Sequence, residues 1–372
     1  MTLPPYSTWL EIDLEAIRSN VRRLAQLSER PVMTVLKANA YGHGLVEVAR
    51  AVRQAGASWI GIARVEEGLA LRQGGITGDI LVMGHAASEQ VPQAAQAGLT
   101  LAVYHPELAA AYSARAEAAG LRLRVHAKFD SGMGRLGLPT EEGMDFVRLL
   151  HSLPGLALEG VFTHLAEADD PVQPSVNWQI ERFTALVDAL AAAGLRPPLV
   201  HAANSAGTLY FPHARFDMIR PGIAVYGLQP SAEAPLPEGF RPALTWKARL
   251  ASIKVLPANH GIGYNYRYHT TREERIGVCP AGYADGLRRK VGVNFALVGG
   301  VKVPVVGGMC MDQCMIQLDG VPEAKLGDEI VLIGRQGVAE ISAEEIAHIW
   351  GTTNYDVVCG LTARVPRLYL NI

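Results

Sequence analysis

Apolar and polar positions alternate between two periods along the first two thirds of the chain. Short runs rich in Val, Ile and Leu fall at 32–36, 59–63, 79–83, 100–104, 121–129, 156–163, 198–202 and 216–226. Each reads as a strand apolar on both faces. Between them lie Ala- and Leu-rich segments with helical spacing, at 45–55, 66–73, 106–119, 141–152 and 178–194. A further helix is predicted over 13–28, with Asp13 as its N-cap. Strands that alternate with helices indicate a parallel sheet, and eight is the number that closes a (β/α)8 TIM-type barrel. An open doubly wound sheet is the alternative. No GxGxxG follows the first strand, so a dinucleotide site is not indicated.

The pattern changes after residues 229–242, a stretch rich in Pro, Glu and Ala that reads as a linker. Beyond it come short strand-like runs at 244–256, 275–279, 296–306 and 329–333, divided by Gly299-Gly300 and Gly307-Gly308. One helix is expected near 342–350, capped by Ser342. The expected division is therefore a barrel over 1–233 and a mainly β domain over 234–372.

Composition narrows the function. A net charge of -2 with no long basic or acidic run gives no support to nucleic-acid or membrane-surface binding. Glu11, Asp13 and Glu15 interrupt any signal-peptide core, and no apolar span approaches membrane length, so a cytoplasmic location is expected. Cys279, Cys310, Cys314 and Cys359 form no CxxC pair and are expected to be free buried thiols. No metal site is expected.

Lys37 is the candidate that organises the rest. It closes the apolar run Val32–Leu36 and opens a polar, Gly-containing turn, Lys37-Ala38-Asn39-Ala40-Tyr41-Gly42-His43-Gly44. An amine so placed can react with an aldehyde, provided that its surroundings lower its pKa from about 10.4. In a parallel barrel, reactive groups gather at the carboxyl ends of the strands. That rule brings Lys37, Lys128, Arg135, His164, Asn204, Ser205 and Arg220 to one mouth. Asn204-Ser205-Ala206-Gly207 and Pro221-Gly222-Ile223 supply a helix start and a close-approach point suited to a phosphate. A reactive lysine and a phosphate cradle at one mouth together imply pyridoxal 5'-phosphate.

The run Val35–Gly44 resembles the cofactor-lysine signature of the alanine racemases. The resemblance continues through Lys128-Phe129-Asp130-Ser131-Gly132-Met133-Gly134-Arg135-Leu136-Gly137, Thr163-His164-Leu165 and Ile219-Arg220-Pro221-Gly222-Ile223. It resumes with Gly282-Tyr283-Ala284-Asp285-Gly286, Cys310-Met311-Asp312-Gln313-Cys314, Tyr355 and Thr362-Ala363-Arg364-Val365-Pro366-Arg367. It implies a homodimer with shared active sites, each combining barrel residues of one subunit with β-domain residues of the other. Lys37 would hold the cofactor, and Tyr264, supplied in trans, would be the second catalytic base. His164, Arg220 and Asp312 would support them, with Arg220 facing the pyridine nitrogen. Tyr41, Ser205, Gly222, Ile223 and Tyr355 would bind the phosphate. Arg135 and Met311 would bind the substrate carboxylate, and Tyr283 would narrow the entrance. Lys128 is either carbamylated or unmodified. The family usually has Gly after its catalytic tyrosine. Here the run is Gly263-Tyr264-Asn265-Tyr266-Arg267-Tyr268, and spacing favours Tyr264 over Tyr266.

The reaction implied is interconversion of L- and D-alanine, supplying D-alanine for peptidoglycan. Lys37 would act on D-alanine and Tyr264 on L-alanine. The rival readings are a non-catalytic cofactor carrier, a racemase of broader range and a decarboxylase. The bulk of Tyr283 and Tyr355 favours alanine.

Overall fold

The computed structural model describes residues 4–290 and 292–372. The chain divides into two units, one made of Ala16–Ala40 with Gly44–Arg241. In it the parallel strands Met33–Val35, Trp59–Ile62, Asp79–Val82, Thr100–Val103, Leu123–Asp130, Leu156–Phe162 and Leu199–His201 pair in that order. The helices Leu45–Gln54, Val65–Gln73, Val91–Gln96, Pro106–Ala118, Gly143–Ser152 and Pro174–Ala192 alternate with them. Helices cover one face of the sheet and side chains fill the other, so the strands are apolar on both faces.

Residues 217–221 close the ring. Asp217 N donates to Val200 O at 3.0 Å and Arg220 N to Ala203 O at 2.8 Å. On the other side Met33 N donates to Ile219 O, and Val35 N to Pro221 O, both at 2.9 Å. A single parallel bridge joins Val32 to Ile219. The sequence predicts a regular strand over 216–226. The structure has this irregular segment and then a 3-10 turn, Ile223–Tyr226. Pro221 accounts for the difference, because it has no N–H to continue a ladder. Met33, Trp59, Leu81 and Met218 form one buried cluster of the barrel.

The other unit gathers the residues up to Glu15, Tyr41–His43 and Pro242–Ile372. Its sheet follows the order Ser252–Leu256, Glu274–Cys279, Cys314–Gln317, Val301–Val306, Phe295–Val298, Glu329–Gln336, Leu244–Arg249, Thr8–Asp13, Arg367–Leu370. Gly299 and Gly300, at φ 57° and 78°, make the two-residue hairpin between Phe295–Val298 and Val301–Val306. The helix Ala343–Trp350 begins at Ser342, whose Oγ accepts from Glu345 N at 3.0 Å. The helix Leu14–Ser28 begins after Asp13, whose Oδ1 accepts from Glu15 N at 2.9 Å.

Compared with a division at 233/234, three segments lie elsewhere, one of them Tyr41–His43, which groups with the β unit. Thr8–Asp13 pairs with Leu244–Arg249 and Arg367–Leu370, so it belongs to the β sheet. Residues 234–241 stay with the barrel unit, where Asn20 Nδ2 donates to Arg241 O at 2.9 Å and Arg241 N to Asn20 Oδ1 at 3.1 Å.

Candidate functional site

The turn that carries Lys37 is left-handed. Ala38, Asn39, Ala40 and Tyr41 have φ of 56°, 56°, 53° and 52°. Left-handed backbone costs a non-glycine residue roughly 1–2 kcal/mol. Hydrogen bonds from the barrel unit offset that cost. Glu67 Oε1 accepts from Ala38 N at 2.7 Å, while Oε2 accepts from Ala63 N at 2.8 Å and Arg64 N at 3.1 Å. Asn39 Oδ1 accepts from Leu45 N at 2.8 Å, and Asn39 O from Gly44 N at 2.9 Å. The strand therefore ends abruptly and leaves Lys37 exposed at its carboxyl end.

Around it the barrel unit assembles positive charge. Lys128 is buried on the strand Leu123–Asp130. Burial pushes its pKa down to about 8, aided by Arg135, Arg220 and Lys37 and opposed by Asp130. His164 is held well below the usual imidazole range by burial, then by Arg220, Arg135, Lys128 and Lys37. Arg135 is exposed. The carboxylate of Asp130 is already engaged by the amides of Gly132, Met133 and Gly134 at 2.7–2.8 Å. The cluster is therefore short of negative charge.

Arg220 is the buried centre of this group, only 3% exposed. Its Nη1 donates to His201 Nδ1 at 2.8 Å, and its Nη2 to Thr163 O at 2.7 Å and Ala202 O at 3.0 Å. His164 Nδ1 lies 3.4 Å from Nη2. The guanidinium sits 5.3 Å from the centre of the Phe162 ring, and Lys128 Nζ lies 5.5 Å from the same ring. Burial pushes the Arg220 pKa down to about 9, which leaves it protonated at neutral pH. Its Nε–H and its second Nη1–H have no partner among the described residues.

Ser205 forms the second feature. Its Oγ accepts from Gly222 N at 2.9 Å and from Ala224 N at 3.2 Å, so its hydroxyl hydrogen is left to donate elsewhere. Asn204 caps the following turn by accepting from Gly207 N at 2.8 Å. Ser205, Gly222 and Ile223 are buried side by side at the ends of the last two barrel segments.

The remaining predicted residues belong to the β unit. Tyr41 and Tyr355 face each other with ring centres 6.1 Å apart. Burial, then Tyr355, pushes the Tyr41 hydroxyl pKa up. Tyr264, Asn265, Tyr283, Arg289, Met309 and Met311 line a pocket of about 260 Å³. The three clustered tyrosines separate. Tyr264 lines this pocket and is 64% exposed. Tyr266 folds back over its own hairpin, so that a Cβ on Gly261 would lie 2.3 Å from its ring. Tyr268 donates to Glu274 Oε2 at 2.6 Å. Gly263, at φ 72°, bridges to Gly308, and a Cβ there would meet Gly308 O at 2.9 Å.

Asp312 is taken up by Arg364, which donates to its Oδ1 at 2.7 Å and lies 3.1 Å from Asp285 Oδ1. It therefore braces the loop that carries Met311. Buried free thiols were expected of all four cysteines. Cys279 and Cys314 are buried opposite each other in the sheet, but Cys310 is half-buried and Cys359 is exposed at the end of a short helix. Among the described residues no group of three or more His, Cys, Asp or Glu side chains is arranged to hold a metal ion. No helix among them is long and apolar enough to cross a membrane.

Comparison with known proteins decides which family builds a lysine turn and an anion cradle this way. Residues 12–230 match the model of the alanine racemase N-terminal domain, and residues 243–369 that of the alanine racemase C-terminal domain. The chain belongs to the alanine racemase family. An alanine racemase from Symbiobacterium thermophilum is 46% identical over 364 residues, covering 97% of each chain. The crystal structure of alanine racemase from Streptomyces lavendulae superposes with a TM-score of 0.94 at 37% identity, covering 100% of this chain and 98% of the other. That from Bacillus anthracis, with bound L-Ala-P, gives 0.93 at 39% identity, covering 99% and 96%.

Sequence reasoning passed over His126, His201 and Glu159, which lie behind Arg220, and Arg289 beside Tyr283. His126 could have been found from strand alternation, since it shares a face with Lys128 two residues on. Its partner His201, 75 residues away, left no local signal.

Proposed function

We propose that this member of the alanine racemase family interconverts L- and D-alanine, using pyridoxal 5'-phosphate on Lys37 and two acid–base groups, Lys37 and Tyr264. The observation that carries the reading is the cationic cluster of Lys37, Lys128, Arg135, His164 and Arg220 beside the Ser205–Gly222 cradle. Its donors fit this cofactor. Lys37 offers the amine for the aldehyde, the uncommitted N–H groups of Arg220 suit an unprotonated ring nitrogen, and the Ser205 hydroxyl suits a phosphate oxygen. When bound, the cofactor withdraws electrons from the substrate Cα and so acidifies its hydrogen.

The chain's own residues do the rest. Racemisation removes the Cα proton from one face and returns one to the other, which a single fixed base does poorly. Lys37 Nζ serves one face, on D-alanine, and the phenol of Tyr264 from a second subunit serves the other, on L-alanine. The separation of the three tyrosines supports Tyr264 over Tyr266, because only Tyr264 shares its pocket with Tyr283 and Met311. His164 and Arg220, 3.4 Å apart, are the groups assigned to support the Tyr264 phenol.

Arg220, protonated at neutral pH, would face the pyridine nitrogen of the bound cofactor. Tyr41, Ser205, Gly222, Ile223 and Tyr355 hold the phosphate, while Arg135 and Met311 hold the substrate carboxylate. Tyr283 narrows the entrance, and Asp312 supports Met311 through Arg364. Lys128, its pKa pushed down to about 8 by burial, keeps a larger share of free amine than an ordinary lysine and would take up carbon dioxide as a carbamate beside Arg135. The product would supply peptidoglycan synthesis in the cytoplasm, from a homodimer with shared sites.

The test is to incubate the purified chain with L-alanine and measure D-alanine and carbon dioxide together. D-Alanine without carbon dioxide is the expected result. Carbon dioxide release would make it a decarboxylase, and neither product would make it a carrier. Intact mass under mild conditions reads the carbamate on Lys128 directly.

A further inference from the structure

Behind Arg220, inside the barrel, lies a line of buried polar side chains with no role in the reaction as described. His201 Nε2 is 2.9 Å from His126 Nδ1, and both rings are fully buried. Among the described residues His126 Nε2 has no hydrogen-bond partner within 3.5 Å, and Glu159 Oε2 lies 3.7 Å from it. Glu159 is held from both sides. Its Oε2 accepts from Thr100 Oγ1 at 3.4 Å, and its Oε1 from Arg124 Nη1 at 3.4 Å. Arg124 is itself anchored on Asp79 at 2.6 Å.

The direction of this line follows from its first member. A guanidinium can only donate, so His201 Nδ1 must accept from Arg220. The proton of a neutral His201 is then on Nε2 and is donated to His126 Nδ1. By the same step, His126 carries its proton on Nε2, aimed at the Glu159 carboxylate. We propose that Glu159 is the terminal acceptor of a one-way donor array, Arg220 to His201 to His126 to Glu159, that fixes the orientation of the Arg220 guanidinium. The proposal deepens the reading of Arg220 as the group facing the cofactor ring and rests on it.

The surroundings are built to hold the line still. Phe162 stacks on His201 with ring centres 4.9 Å apart and planes within 9°. Trp59 covers His126 at 5.2 Å. Gly160 leaves room for that ring, since a Cβ there would lie 2.8 Å from His126 Nδ1. The charged groups acting on His126 are Glu159, Arg124 and Arg220; His201 faces the charged Arg220 and the titratable ring of His126. Burial lowers the pKa of both rings, in keeping with two neutral imidazoles. A carboxylate at the far end makes each ring a better acceptor for the donor before it, because chained hydrogen bonds polarise one another. Glu159, His126 and His201 are positioning residues and touch neither substrate nor cofactor.

The test reads tautomers in the full-length protein, by long-range proton–nitrogen NMR of histidine-labelled chain between pH 6 and 8. Glutamine variants at His126 and His201 assign the two signals. Both rings are expected as neutral Nε2–H tautomers, a result that needs no change at Glu159. In Glu159→Gln the His126 signal is expected to shift and mix tautomers. The absorbance of the lysine-bound cofactor is expected to move with it, and kcat to fall on the order of tenfold, the weight of about one pKa unit, with KM within about twofold. An Nδ1–H tautomer or an imidazolium at either ring overturns the array, as does a Glu159→Gln chain whose histidine signals match the parent. The tautomers can be read whether or not the chain racemises alanine, so failure of the array and failure of the functional reading are distinguishable.

Discussion

The barrel unit buries its chemistry, whereas the β unit displays it. Lys128, Arg220, His126 and His201 are almost wholly out of solvent, and their pKa values move because of what surrounds them within the chain. Tyr264 and Met311, by contrast, are 64% and 52% exposed around an open pocket. A buried cation cluster is prepared in advance for an anion, because its desolvation cost has already been incurred during folding. An exposed aromatic and methionine patch keeps its groups in water, with no such prior desolvation. The contrast teaches that one unit encloses and polarises its charged groups, while the other leaves Tyr264 and Met311 in solvent; under the proposed function these would complete the site of a second subunit.

The largest effect that would sharpen this comparison is at Lys37. Lys37→Ala is expected to reduce racemisation on the order of 10⁴-fold or more while leaving the melting temperature close to the parent, since the side chain is exposed. On the β side, Tyr264→Phe is expected to cost about 10³-fold. Because the two substrates are mirror images, kcat/KM must fall equally in both directions. The selective sign is a larger α-deuterium isotope effect with L-alanine than with D-alanine. An equal isotope effect from both enantiomers would break the assignment of faces.

Stability separates the units next. Gly42 lies in the β unit at φ +82°, and a Cβ there would sit 2.1 Å from Val358 O. Gly42→Ala is expected to destabilise the chain by about 3 kcal/mol or more, measured by denaturant unfolding. A loss under about 1 kcal/mol would mean that the backbone relaxes freely. The smallest effect belongs to Lys128. Its folded pKa of about 8 lies below the unfolded value of about 10.4, so the charged form is disfavoured by the fold. That penalty is fully present below pH 8, shrinks as pH rises, and is gone above about 10.4. In carbon-dioxide-free buffer, Lys128→Met should stabilise the cofactor-free chain at pH 7 by up to about 3 kcal/mol, and the gain should vanish at high pH. A gain independent of pH would show that desolvation of the amine is not its cause.

Much of this architecture was legible because parallel strands buried on both faces announce themselves as continuous apolar runs. Seven of the eight predicted barrel segments form strands of the ring, residues 217–221 of the eighth close it, and Asp13 and Ser342 cap the helices assigned to them. The strands Thr8–Asp13, Cys314–Gln317 and Arg367–Leu370 were not read. Their pairing partners lie far away in sequence, and each is short or carries polar residues. The left-handed turn at Ala38–Tyr41 was equally silent. Asn39 alone hints at positive φ, and the carboxylate that steadies the turn comes from Glu67. Candidate site residues at strand ends could be gathered by topology. What topology could not show is which of three tyrosines enters the pocket, or that Arg220 leans on His201.

The central claim is that Lys37 and Tyr264 act together across two subunits. Mixing Lys37→Ala chains with Tyr264→Phe chains, under conditions that let subunits exchange, tests it most directly. If sites are shared, half the dimers are mixed and one of their two sites regains both groups, so roughly a quarter of the parental activity should return from two inactive preparations. Activity that stays at the level of the separate variants after exchange would contradict the account.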